Sequence, residues 1–465
     1  MRKRRLLTSL KISVLSLLLS ANAYSAPLNV ESLNNLNKLH NAKVSPDGSS
    51  LVYGVKTKTN GKTTANDLYL LSLTAANAAP KQLTSHKTGE SSVQWSSTGD
   101  ALYFITKRSG SRQVWRLKLS GGEAQQVTDL PLDVTDFKLS PDDKKLVLAV
   151  AVLPSCGNFK CTRKHQLAQH DKKGSGKVYN KLMIRHWDSW SSYYKTHLFV
   201  GQINDKGLVD APVVDLMPGW STDAPDDMAE VSFTADAQHV VFSAKAPASD
   251  HAWQTNYDLF KVLAEGGPLE NLTENNKAWD AKPTFSKDGR FMAYLAMKVP
   301  GFEADQFTLM LKDLKTGALK EVSPLWDRSA SSLSFGKDNR TIIALARDLG
   351  QKSIFEISTN FGDIKKIYSH GYAGNVQVVG DDLYFTREAM DHPKDLYVVG
   401  RDGSGLRQVT DVNKDKLAKL DFGQFEQFSF KGWNDETVYG YTVKPVNFEA
   451  GKKYPVAFLV HGGPQ

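Results

Sequence analysis

The chain has 465 residues, 41% of them hydrophobic and 10% aromatic, and a formal net charge of +8. That length exceeds one ordinary domain and the apolar content can fill a sizeable core, which excludes a disordered or fibrous chain. The charge does not signal a nucleic-acid partner: Arg2, Lys3, Arg4, Arg5 and Lys11 hold five of the 58 basic residues, and the other 53 face 50 acids and are interspersed along the chain.

Those early basic residues precede an apolar run from Ile12 to Leu19 and then Ala21-Asn22-Ala23. Basic start, short hydrophobic centre and small residues form the pattern of a secretory signal over 1–23, cleaved after Ala23. The apolar run is too short to span a bilayer comfortably, so no membrane span is expected after cleavage. The expected location is periplasmic or secreted.

From residue 28 onward one unit recurs: a strand, a polar turn, a second strand, an Asp-Leu-Tyr-like strand and a Gln-Leu-Thr-like strand. The turn reads Ser45-Pro46-Asp47-Gly48, Ser97-Thr98-Gly99-Asp100, Ser140-Pro141-Asp142-Asp143, Thr234-Ala235-Asp236-Ala237, Ser286-Lys287-Asp288-Gly289, Gly336-Lys337-Asp338-Asn339 and, more loosely, Val379-Gly380-Asp381-Asp382. Asp and Gly suit tight hairpins because they tolerate positive φ. Four short strands every 40 to 50 residues describe a propeller blade, and a β-sandwich would not keep one internal order. The expectation is a mainly β protein with a seven-bladed β-propeller over 28–415.

The spacing nearly doubles inside the third unit, which marks an insertion at about 153–192; a degenerate eighth blade is the alternative. This stretch holds the only two cysteines, Cys156 and Cys161. In an exported chain they predict a disulfide, with a metal site shared with His165 and His170 as the rival. No metal site is assigned, and no motif calls for a cofactor.

After Thr410 the repeat stops. Asn413 to Leu420 reads as a charged connector, and Phe425–Phe430, Thr437–Val443 and Val456–Val460 read as strands leading to His461-Gly462-Gly463-Pro464-Gln465. Gly-x-Ser-x-Gly is absent: Gly174-Ser175-Gly176 and Gly403-Ser404-Gly405 lack the flanking strand and helix of a nucleophile elbow.

With these motifs in view, the chain resembles the prolyl oligopeptidase family of serine peptidases, in its acylaminoacyl-peptidase and dipeptidyl-peptidase-five-like branch. The resemblance rests on Lys453-Tyr454-Pro455 leading into His461-Gly462-Gly463, on Arg185-His186-Trp187-Asp188-Ser189-Trp190, and on Thr255-Asn256-Tyr257-Asp258-Leu259. It implies a propeller joined to an α/β-hydrolase domain, of which 421–465 would be the opening, truncated part. By that resemblance Gly463 and His461 belong to the oxyanion hole, while the catalytic Ser, Asp and His are not among these residues. Short peptides are the implied substrates, with Asp188, Arg185 and Trp187 as binding candidates and Glu230 and Asp226 as weaker ones. A homodimer formed through the rest of the catalytic domain is a further expectation. The competing expectation is a periplasmic propeller that binds or scaffolds without catalysis.

Overall fold

The structure is a computed structural model, and it describes residues 25–180, 182–225, 227–360, 362–460 and 462. The signal expected over 1–23 lies outside the described residues. Between Lys38 and Gln408 the strands form consecutive four-stranded antiparallel units, five as separate sheets and the last two joined by the single parallel pairing Lys352↔Tyr372. The repeat turns are built as their sequence implies. Asp47 accepts from the Ser45 hydroxyl at 2.5 Å and from Ser49 N at 3.0 Å, and these donors hold its carboxyl down at about 2. Ser140 with Asp142 and Ser286 with Asp288 repeat the contact at 2.6 Å each.

The second strand of each unit is the apolar one. Ala101–Thr106 is buried throughout, and Phe104, Phe137, Phe242 and Phe385 are fully buried between neighbouring sheets. Truncating one of these phenylalanines would cost about 3–5 kcal/mol. The fourth strands are two to five residues long and sit at the periphery.

The first strands stand at the centre. Lys38–Val44 touches Ser91–Trp95, which touches Val134–Leu139; between the third and fourth units contact passes through the turn Met228–Glu230. The series continues through Asp280–Phe285 and Ala330–Phe335 to Tyr372–Val379, which returns to Lys38–Val44 and closes a ring. Every unit takes its four strands from its own stretch of chain, so among the described residues no strand is shared across the closure. Side chains do the joining. Gln377 accepts from Val44 N at 2.9 Å and donates to Ala42 O at 3.1 Å, and Asn375 donates to Ala42 O at 2.7 Å. Gly48, at φ +75, sits so close to the seventh unit that a Cβ would lie 2.8 Å from Val379.

Other seams use the same device. Gln94 donates to Phe137 O at 2.6 Å and accepts from Leu139 N at 3.1 Å, while Lys138 Nζ donates to Met228 O at 3.0 Å and also to Val231 O. Register breaks in the first strands expose these backbone groups; at four of them Asn41, Ser92, Lys282 and Asn375 take φ of 47 to 54.

Two features add to or depart from expectation. The extra stretch of the third unit, 153–194, contains helix Phe159–His170, and among the described residues it forms no further four-stranded unit. Its start signal is Asn158, whose side chain accepts from Cys161 N at 2.9 Å, followed by good helix formers. Phe425–Lys431 and Thr437–Val443 pair as a hairpin, but Val456–Val460 is not a strand. A strand needs a neighbour for its N–H and C=O groups, and among the described residues none pairs with it. Val456, Phe458, Leu459 and Val460 are 75–90% exposed. The charged connector contains a short helix, Lys414–Leu417, and Leu420–Asp421 pairs in parallel with Ala26–Pro27.

Asp280, at the start of the fifth unit, generates a pH prediction. It is buried, Asn276 donates to one of its oxygens at 3.0 Å, and the other oxygen has no partner. Desolvation, reinforced by the neighbouring Asp258, pushes its pKa up to about 7. Its proton is held more tightly folded than unfolded, so stability falls as pH rises from about 4 through 7. Asp280→Asn should reduce the stability difference between pH 5 and pH 8 by on the order of 1–4 kcal/mol, read from urea unfolding at the two pH values.

Candidate functional site

In a four-stranded unit the chain crosses the ring four times. The loops between second and third strands and the connections between units therefore share one face, and the Ser-Pro-Asp-Gly turns occupy the other. The insertion is a second-to-third-strand loop, lying between Lys145–Val152 and Lys195–Gln202. The hairpin after the ring sits on the same face, since Gln427 and Tyr441 both donate to Leu349 O in the turn between Thr341–Asp348 and Gln351–Ser358. Residues far apart in sequence thus project on one side of the ring.

The insertion is anchored at its root. Phe159 packs edge-on to Phe199 at 4.7 Å, Leu153 N donates to the Thr162 hydroxyl at 3.1 Å, and His165 meets the Tyr194 hydroxyl at 3.0 Å. Cys156 and Cys161 are joined as a disulfide across the start of the helix. The rival metal site falls with that bond, because neither sulfur is left as a thiolate ligand.

Arg185–His186 pairs with Ser189–Trp190 in a tight hairpin whose turn is Trp187 and Asp188. Trp187 has φ 48, an uncommon conformation for a bulky residue. Trp187 and Trp190 are 60% and 62% exposed, and Arg185 and Asp188 are exposed as well. Asp188 accepts from the Ser189 hydroxyl at 3.2 Å. Tyr179 stacks on Trp190 at 6.4 Å and on Tyr193 at 6.2 Å, so these aromatics pack on one another and present a slab outward. The hairpin brings Arg185, Trp187 and Asp188 together: a cation, an aromatic face and a carboxylate in solvent reach.

Glu230 is used differently. One oxygen accepts from Lys282 N at 2.7 Å and the other pairs with Lys282 Nζ at 2.9 Å, fastening the fourth unit to the fifth at a register break. Its carboxylate is engaged, which leaves Asp188 as the open acid among the described residues of the candidate set. Asp226, His461 and Gly463 lie outside the described residues.

The lysines Lys43 and Lys138 escaped the sequence reading. Both are half-buried on first strands at the ring centre, and desolvation lowers both pKa values, Lys138 to about 8. The available signal was a lysine between apolar residues just before a turn, in Ala42-Lys43-Val44-Ser45 and Phe137-Lys138-Leu139-Ser140.

No family model matches the chain. Its sequence is 28% identical over 440 residues to dipeptidyl-peptidase 5 of Porphyromonas gingivalis, covering 92% of this chain and 62% of that protein. The chain therefore spans about three fifths of that relative's length. Its fold is similar to an acylaminoacyl peptidase solved in complex with Z-Gly-Gly-Phe-chloromethyl ketone, at a TM-score of 0.68 and 14% identity, over 91% of this chain and 60% of the other. It also resembles the β-propeller domain of the Trilobed protease from Pyrococcus furiosus, which has an open velcro topology, at a TM-score of 0.54 and 14% identity, over 81% of this chain and 99% of that domain. These likenesses support a β-propeller.

The short span of the disulfide yields a prediction about where it acts. Closing so small a loop contributes about 2 kcal/mol at most. Cys156→Ser with Cys161→Ser should leave the melting temperature of the ring within a few degrees of the parent while speeding proteolytic cleavage inside 153–194, followed by mass spectrometry of the first fragments.

Proposed function

We propose, from the membership of the prolyl oligopeptidase family that the dipeptidyl-peptidase 5 relatives and the acylaminoacyl-peptidase fold support, that this chain is the substrate-admitting part of a serine peptidase acting on short peptides. The reaction is release of a dipeptide or an acyl-aminoacyl unit from the N-terminus by Ser-His-Asp acyl transfer. In this reading 1–23 is a secretory signal, the four-stranded units over 28–415 are seven propeller blades, and 421–465 begins the α/β-hydrolase domain. The enzyme works in the periplasm or outside the cell and dimerises through its catalytic domain. Gly463 and His461 contribute to the oxyanion hole, where preorganised donors stabilise the developing charge. These 465 residues carry no nucleophile elbow, so they are expected not to hydrolyse peptides by themselves.

The observation that carries the proposal is the shared face. The exposed Arg185–Trp190 hairpin and the Phe425–Val443 hairpin project from the same side of the ring. A peptide held between ring and catalytic domain would meet Asp188 with its free α-amino group, a charge-assisted contact in which a carboxylate accepts from an ammonium. Trp187 offers an apolar face beside it, and Arg185 a cation for a backbone carbonyl.

Kinetics of the enzyme with its complete catalytic domain test this directly. Asp188→Asn should raise KM for a dipeptide reporter with a free amine by about 10-fold, the scale of one charged hydrogen bond, with kcat nearly unchanged. An N-acetylated reporter should be unaffected. Equal effects on both reporters, or none on either, would remove Asp188 from amine recognition.

A further inference from the structure

The seventh unit carries a polar cluster that the peptidase reading does not use. His392 opens the third strand, His392–Gly400, Asp395 lies three residues further in, and Asp411 follows the fourth strand, Arg407–Gln408. One ligand atom from each residue can be chosen so that all three lie within 4.8 Å of one another. Asp395 is fully buried, His392 half-buried and Asp411 exposed, so the cluster opens to solvent on the Asp411 side.

Two details set it apart from an ordinary surface group of acids. The Asp395 carboxylate is fixed through Oδ1, which accepts from the Thr410 hydroxyl at 2.6 Å and from Val412 N at 3.2 Å, while Oδ2 is buried and has no partner. An orphaned buried carboxylate oxygen is costly unless something meets it. His392 Nδ1 lies 2.6 Å from Pro393 O, an acceptor, so Nδ1 carries the proton and Nε2 presents its lone pair. A carbonyl on one ring nitrogen is the usual support of a histidine that binds metal through the other.

The repeat supplies an internal control. At the equivalent strand position in the first unit, Gln82 donates to Asp67 Oδ2 at 3.1 Å as well as to Thr84 O at 2.9 Å. In the fourth unit, Asn271 donates to Asp258 Oδ2 at 2.8 Å, although there Oδ1 is left buried without a partner. In the seventh unit the corresponding Gln408 donates to Thr410 O at 2.7 Å and Asp395 Oδ2 stays without a partner, in the residue that clusters with His392 and Asp411.

We propose that His392, Asp395 and Asp411 bind a divalent transition-metal cation, Zn²⁺ by preference. One imidazole nitrogen and two carboxylates suit a borderline cation and leave one tetrahedral position for water, whereas Ca²⁺ and Mg²⁺ favour all-oxygen shells. Closing the ligands to a zinc sphere, with metal–ligand distances of about 2.0–2.2 Å, requires movement mainly of the exposed Asp411. The cation would clamp the end of the last unit onto the segment that ties it to the first. Val412 O accepts from Asn37 Nδ2 at 2.9 Å, and Asn413 Oδ1 accepts from Asn37 N at 2.7 Å, one and two residues beyond the site.

Calorimetric titration of the chelator-treated, full-length protein with Zn²⁺, Mn²⁺, Ca²⁺ and Mg²⁺ tests the assignment, with melting temperature measured in parallel. Expected are one saturable Zn²⁺ per chain, a melting temperature raised by several degrees and little response to Ca²⁺ or Mg²⁺. Asp411→Asn should keep the metal-free melting temperature and weaken Zn²⁺ binding at least 10-fold, and His392→Gln should abolish it. Absence of stoichiometric Zn²⁺ uptake overturns the proposal, as does uptake that both variants retain. Neither result bears on peptidase activity, which is read by the reporters.

Discussion

Everything in this molecule depends on closing a ring without lending a strand across the gap. Each unit is hydrogen-bonded internally by its own four strands, so among the described residues side chains and packing make the seam between the seventh and first units, with the backbone pairing of Ala26–Pro27 and Leu420–Asp421 tying the segments that flank it. Asn375 and Gln377 meet it by offering amides to Ala42 O and Val44 N, acting as a short surrogate strand. Around them Leu39, Val44 and Leu51 of the first unit share an apolar core with Tyr384, Leu396 and Val398 of the last. The amides answer buried backbone groups, and the apolar core supplies the larger share of the driving force.

That requirement explains the centre of the ring. The backbone of a first strand has to present groups sideways to its neighbour, and the register breaks at Asn41, Ser92, Lys282 and Asn375 achieve this at the expense of unfavourable positive φ. Polar side chains then collect where a core would ordinarily be apolar. Lys138 is held by two carbonyls, and Glu230 is held by both the amide and the ammonium of Lys282. A carboxylate so engaged secures a seam, which is why Glu230 and Asp188, equivalent as acids in the sequence, have different prospects as contacts for a substrate.

The functional face follows from strand count. With an even number of crossings per unit, second-to-third-strand loops can grow without disturbing the core, and only the third unit exploits this at length. The anchored root, with its capped helix and disulfide, and the exposed aromatic hairpin combine a fixed base with an accessible tip. The segment after the ring returns to the same face through Leu349.

The repeat, its turns, the insertion and the cysteine pair were legible because each rests on local chemistry: which residues tolerate positive φ, which alternate, which can cap or cross-link. The helix Phe159–His170 went unread although Asn158 announced it, because the sequence showed the insertion only as a break in the repeat spacing. Val456–Val460 has the composition of a strand but finds no partner among the described residues, and composition cannot supply one. Asp395 looked like one more repeat aspartate; only the fold shows that its Gln408 turns elsewhere and that His392 and Asp411 converge on it. The sequence by itself determined the units, because hairpins are short-range and their register is written in alternation and turn residues. Which acids are spent on seams, which project on one face, and which meet across a blade were decided by the closed ring, since those contacts depend on which strands it sets side by side, from the 52 positions between Glu230 and Lys282 to the 333 between Ala42 and Asn375.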